Sequence, residues 1–197
     1  MDEPIRAKRG APRKDAVGAR ERILATASEL FYREGVRAIG VDTVVARSGV
    51  SKTTLYRLFE SKDELIAAFA AEQDQLFWAW WDRVEVQHAD DPRAMLDALL
   101  TGIAKRIGHP AYRGCPFLNL MTEFPDPRHP GRTIACDNKV ELERRLAVLL
   151  GKIGAHDANA VASQLALIIN GAYVVGALAG SVGLREHLTA AAAKLLA

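Results

Sequence analysis

Between Gly49 and Leu65 the sequence reads GVSKTTLYRLFESKDEL. It places long hydrogen-bonding side chains where a short helix would turn them outward. Lys52 and Tyr56 are four residues apart, as are Thr53 and Arg57, so each pair shares one stripe of a helix surface. Lys52 and Tyr56 have the reach and polarity to contact phosphate, which positions a protein on DNA. Thr53, Thr54 and Arg57 suit the donor–acceptor edges of bases in the major groove, which specify sequence. Lys62 opens the following helix, where unpaired N–H groups and the helix dipole attract a further phosphate.

These side chains need a scaffold, and the surrounding pattern supplies one. Ile23, Leu24, Ala27, Leu30 and Phe31 recur at helical spacing over Arg20–Arg33, with Gly35 as a C-terminal stop. Val41–Arg47 makes a short second helix with Val41, Val44 and Val45 expected inward. Gly49 makes the turn and Ser51 is placed to cap a third helix, which buries Leu55, Leu58 and Phe59. Ser61 and Glu64 form a capping box that opens a fourth helix to about Val84. Further helical patterns fall at about 93–107, 116–123, 133–153, 157–180 and 184–196. The breaks GHPAYRGCP and EFPDPRHPGR hold much of the proline. The class is all-α: an N-terminal three-helix helix-turn-helix unit, then a helical domain for effector binding and dimerisation. Boundaries are expected at 1–18 for a disordered basic arm with Arg6, Lys8, Arg9, Arg13 and Lys14, at 19–65 for DNA binding, and at 66–197 for the rest.

From about Arg22 to Phe69 the chain resembles the TetR family of bacterial transcriptional regulators, most densely in the run from Gly49 to Leu65. The resemblance implies a DNA-facing set of Thr43, Arg47, Lys52, Thr53, Thr54, Tyr56, Arg57 and Lys62. Gly40 departs from it, since Ser or Thr often caps the second helix there, and a possible hydroxyl contact to phosphate is lost. It also implies a homodimer that reads a double-stranded, pseudo-palindromic operator, and a small-molecule effector.

Charge agrees with an anionic partner for the front of the chain. Residues 1–59 hold 12 Lys and Arg against 7 Asp and Glu, whereas residues 60–197 hold 14 against 17. Two cysteines make no disulfide framework, which points to a reduced, cytoplasmic setting, and the N-terminus has no apolar secretory core. Residues 158–184 run for 27 positions without a charge. Asn159, Ser163, Gln164, Asn170 and Ser181 interrupt them and no basic cluster anchors an end, so the reading is a helix buried against a second subunit, with no membrane. The dimer interface is expected at about 157–196. Gly171, Ala172, Gly176, Ala177 and Gly180 permit close approach.

All three tryptophans lie in FWAWW, Phe77 to Trp81. They read as core filling or as an aromatic wall for a small, mostly apolar effector. Phe77, Trp78, Trp81, Ile103, Phe117, Leu118, Met121 and Leu146 are the candidate ligand-binding residues. Leu76 and several further apolar side chains are additional candidate walls, and Asn119 and Glu123 are candidate polar contacts. Cys115 begins a helix beside Arg113, where the dipole would activate a thiol, so a redox- or electrophile-sensing repressor is one alternative. A constitutive DNA-binding protein without a ligand is another. The five histidines are scattered and no Cys-x-x-Cys occurs, so no metal site is expected. No nucleophile elbow, P-loop or paired-carboxylate pattern appears, so neither catalysis nor a cofactor is expected.

Overall fold

The computed structural model describes residues 14–179 and 182–197. Among them the elements are all helical: α1 Lys14–Glu34, α2 Val41–Ser48, α3 Lys52–Leu58, α4 Lys62–Gln87, α5 Pro92–Ile107, α6 Pro116–Glu123, α7 Pro130–Ile153, α8 Ala158–Ala179 and α9 Leu184–Leu195. Two compact units divide the chain at Leu65/Ile66.

In the first unit α1, α2 and α3 pack on one another around Ile23, Ala27, Leu30, Phe31, Val44, Leu55 and Phe59. The Arg20 guanidinium lies 5.0 Å from the centre of the Phe59 ring, a cation–π contact from α1 to the end of α3. Residues 1–13 of the expected basic arm lie outside the described residues, and Lys14 to Gly18 already belong to α1. No proline interrupts Lys14–Glu34, so the helix extends to the N-terminal side of Arg20. Of the valines expected to face inward from α2, Val44 is buried, while Val41 and Val45 are half-buried; Leu58 is also only half-buried.

In the second unit α5 packs against α7, α8 and α9, and α6 against α7. The core holds Trp81, Leu99, Leu100, Leu120, Leu142, Leu146, Leu150 and Leu165. Asp91 caps α5 by accepting from the Ala94 N–H at 2.9 Å, with Pro92 in the first turn. α7 begins at Pro130, three residues before the start expected from its pattern, because proline at the first helical position starts a helix instead of breaking it. Asn138, Arg145 and Lys152, seven residues apart on α7, reach Asp74, Asp82 and Glu85 of α4 in the same order. The seven-residue interval keeps them on one stripe, so α4 and α7 run parallel along this seam.

α8 is not covered all round within one chain. Ala162, Leu165, Ala166, Ile169, Ala172 and Tyr173 are buried, while Leu167 is 72% and Val174 55% exposed. The stretch Ala158–Gly176 is long and apolar enough to cross a membrane by length and composition, and a third of it is buried. Its glycines serve different faces. A Cβ at Gly171 would meet open space, whereas one at Gly176 would overlap Cγ2 of Ile107, so Gly176 lets α8 close onto α5 of the same chain. Ala177 and Gly180 lie outside the residues whose side chains are described.

Two predictions follow from this packing. Gly176→Ala should lower stability by about 1–3 kcal/mol through overpacking. Combining it with Ile107→Ala should cost less than the sum of the two single changes in thermal or urea unfolding, because the second removes the clashing methyl. Glu141 tests the polar surface of α7. Its carboxylate accepts from Arg144 at 2.6 and 2.7 Å and from Arg145 at 2.8 Å. The Arg144 hydrogen bond is the main influence holding its pKa down, from 4.5 to about 2, against the opposing effect of burial. A depressed acid stabilises above its unfolded pKa and loses that contribution as pH falls through the folded value. Glu141→Gln should therefore reduce stability by up to about 1 kcal/mol at pH 7, given its partial exposure, with the difference vanishing between pH 4.5 and 2 in urea titrations.

Candidate nucleic-acid interface and effector cavity

The turn between α2 and α3 is built by local rules. Gly49 sits at φ +67° and returns its N–H to the Val45 carbonyl, a left-handed C-cap for which glycine is suited. Val50 is buried after it, and Ser51 caps α3 by accepting from the Thr54 N–H at 3.1 Å. The Thr54 hydroxyl lies 2.9 Å from Ser51 Oγ, so Thr54 helps close the cap and is half-buried. Leu55 and Phe59 anchor the inner side at 0% exposure. Outward stand Lys52, Thr53, Tyr56 and Arg57, with Thr43 and Arg47 exposed on α2. Gly40 caps α2 without a side-chain bond. Ser61 accepts from the Glu64 N–H at 3.1 Å, and Glu64 reaches back one residue beyond the usual capping box, to the Glu60 N–H. Lys62 is half-buried in the first turn of α4.

Asp42 adds an interaction not anticipated from the sequence. Its Oδ1 lies 2.7 Å from Lys52 Nζ, linking the first turn of α2 to the first residue of α3. The hydrogen bond to Asp42 raises the Lys52 pKa, so the ammonium stays charged. One of its three N–H donors is committed to Asp42, and two remain for a phosphate. Among the described residues no ion pair occupies Arg47 or Arg57.

In the second unit the three tryptophans line three different cavities. Phe77 and Trp80 line one of about 360 Å³ with Gly102, Ile103, Lys105, Arg106, His109 and Tyr173. Trp81 lines a cavity of about 260 Å³ with Asp82, Glu85 and Arg145. Trp78 lines one of about 340 Å³ with Asp74, Asp137, Asn138 and Glu141. Steps of about 100° per residue along α4 turn positions 78, 80 and 81 in three directions. The rings still touch: Phe77 meets Trp78 at 4.9 Å, Trp80 at 5.5 Å and Phe117 at 6.4 Å between centroids. Of the candidate effector residues, the first cavity brings together Phe77 and Ile103. Phe117 and Leu146 are buried and Leu118 and Met121 half-buried, and none of the four lines these three cavities. Leu76, a candidate wall, is 59% exposed. Asn119 instead donates to the Arg113 carbonyl and braces the turn before α6.

Cys115 occupies the N-cap position of α6 and is 5% exposed. The Lys139 ammonium of α7 lies 3.5 Å from its sulfur, a cation not anticipated from the sequence. The Lys139 ammonium also lies over the Phe117 and Tyr173 rings, at 5.5 and 5.2 Å. Burial pushes the pKa of the Tyr173 phenol up, so it stays neutral.

Comparison with known proteins agrees with this architecture. Residues 23–69 match the model for bacterial regulatory proteins of the tetR family. The HTH-type transcriptional regulator YxaF of Bacillus subtilis is 28% identical over 153 residues, 77% of this chain and 79% of that protein. The crystal structure of SCO4454, a TetR-family transcriptional regulator from Streptomyces coelicolor, superposes with a TM-score of 0.86 at 30% identity, covering 91% of this chain and 95% of that one. A tetR-type regulator from Streptomyces avermitilis, sav143, gives 0.73 at 32% identity over 89% and 98%. The helix-turn-helix, the helical second unit and this near-complete coverage place the chain in the TetR family of transcriptional regulators, which bind DNA.

Proposed function

We propose that the protein is a homodimeric, effector-released repressor acting in the cytoplasm on a pseudo-palindromic operator. One observation carries the DNA-reading part: α3 is held by buried Leu55 and Phe59 while Lys52, Thr53, Tyr56 and Arg57 face solvent. Polar donors grouped on one face of a capped helix suit a major groove. Thr43 and Arg47 would add contacts from α2, Lys62 would meet a phosphate at the start of α4, and Thr54 would act mainly through the cap.

The apolar face of α8 supports dimerisation. Gln164, Leu167, Gly171 and Val174 follow one another at helical spacing and are exposed, in a helix with no charge to solvate that face. A second copy meeting the same surface about a two-fold axis would cover it, and would place two α3 helices for two half-sites. The cavity containing Phe77 and Trp80 supports effector control. Both residues belong to α4, the helix that also carries Lys62. A ligand that prefers one position of α4 by about 1–3 kcal/mol would shift operator affinity by the same amount.

Arg57→Ala should weaken operator binding by about 1–3 kcal/mol and relax base preference, measured by fluorescence anisotropy on an operator obtained by selection. Lys52→Ala should flatten the salt dependence of binding by about one phosphate contact for all DNA. Asp42→Asn should act in the opposite direction, tightening binding to any DNA by removing a carboxylate next to the phosphates. Operator binding unchanged in both Arg57→Ala and Lys52→Ala would overturn the assignment of α3.

The interface has its own test. Leu167→Asp should leave a folded monomer in sedimentation velocity that no longer holds the full operator. A wild-type monomer at micromolar concentration would refute dimerisation through α8.

A further inference from the structure

We propose that the cavity between α4, α5 and α8 takes an amphipathic organic anion: a flat apolar body of about two fused rings bearing one acid group. The inference rests on the effector reading above and names the chemistry of that ligand. The inner walls are apolar. Phe77, Ile103 and Tyr173 are buried at 5%, 2% and 4% exposure. Trp80 is pressed against α5 so closely that a Cβ at Gly102 would stand 2.6 Å from its Cζ2. A volume of about 360 Å³ lies at the small end of ligand pockets, roughly 300–1,000 Å³, and suits a compact ring system.

The polar lining carries one sign. Lys105 and Arg106 occupy the last turn of α5, and His109 follows it. His109 Nδ1 accepts the Ala111 N–H at 3.1 Å, which leaves Nε2 as the donor of the neutral ring. No carboxylate or carboxamide lines the cavity, and among the described residues neither Lys105 nor Arg106 is in an ion pair. Basic residues at a helix C-terminus also complement its dipole, which accounts for their sign. It does not account for two of them, with a histidine, bordering an aromatic cavity that holds no acid. The neighbouring cavities each hold acids: Asp74, Asp137 and Glu141 line one, and in the other Asp82 and Glu85 stand beside Arg144, Arg145 and Lys152. A carboxylate near guanidinium and ammonium groups at the mouth of an apolar site gains charge-assisted hydrogen bonds, whereas an organic cation there would be repelled.

Three probes of one shape test the sign: 2-naphthoate, neutral 2-naphthamide and cationic 2-naphthylmethylammonium. Calorimetry on the full-length chain should show naphthoate binding at least about tenfold tighter than the amide, with the ammonium weakest, as expected when a charge-assisted contact is added to equal ring burial. Trp80→Phe should remove most of the fluorescence change that naphthoate produces. Lys105→Gln combined with Arg106→Gln should abolish the preference for the acid and leave amide binding unchanged. Arg106→Lys, which keeps the charge, should retain most of it and guards against an effect of misfolding. The proposal is overturned if the amide or the ammonium binds as tightly as the acid, if none of the three binds, or if the acid preference survives loss of both cations. Naphthoate bound with the expected preference but without operator release would instead defeat the effector reading. Release by a neutral ligand seated in this cavity would keep that reading and defeat this one.

Discussion

Arg145 joins α7 to α4. Its guanidinium stacks 4.3 Å from the Trp78 ring, hydrogen-bonds Asp82 of α4 and holds Glu141 one turn back on its own helix. About two turns earlier along the seam, Asp74 Oδ1 accepts from both Trp78 Nε1 at 2.8 Å and Asn138 Nδ2 at 2.9 Å. These bonds set the rotation of α4 about its own axis. Once Asp74, Trp78 and Asp82 face α7, Phe77 is turned to the apolar cavity and Trp81 into the core. The aromatic run is thus oriented by polar contacts on one stripe and apolar contacts on the others. A planar guanidinium suits this position because it can stack on indole and bond two carboxylates at once.

The first unit is organised differently. Its core is small, and its outward surface is set by caps and one glycine turn. Ser51, Thr54 and Gly49 determine where α3 begins, and Leu55 and Phe59 determine which side of it is hidden. The exposed side chains follow as what is left. The Asp42–Lys52 pair, exposed at both ends, contributes little to stability. Its effect is to place a carboxylate beside the ammonium of Lys52 at the start of α3.

α8 shows how one uncharged helix serves two purposes. Its buried face includes Ala172 and Gly176, residues small enough for α5 to approach. Its other face leaves Leu167 and Val174 exposed. Neither face carries a charge, and α5, α7 and α9 of the same chain pack on α8 while leaving that second face open.

What the sequence determined alone is what lies within one helical turn. The Ser51 cap, the Gly49 turn and the Ser61–Glu64 bond all join residues at most four apart, where helix geometry leaves no freedom. The helix-turn-helix and the exposed side chains of α3 were legible for that reason, together with the resemblance over Arg22–Phe69. What only the tertiary structure decided joins residues far apart in the chain: Lys139 against Cys115, Asp74 against Asn138, Gly176 against Ile107, and Phe77 with Ile103 around a cavity bordered by Lys105 and Arg106. Periodicity shows that a helix has an apolar stripe, but where every stripe is apolar, as in FWAWW or α8, it does not show which neighbour each one meets. That depends on the rotation and crossing of packed helices, set by close-packing across the whole unit.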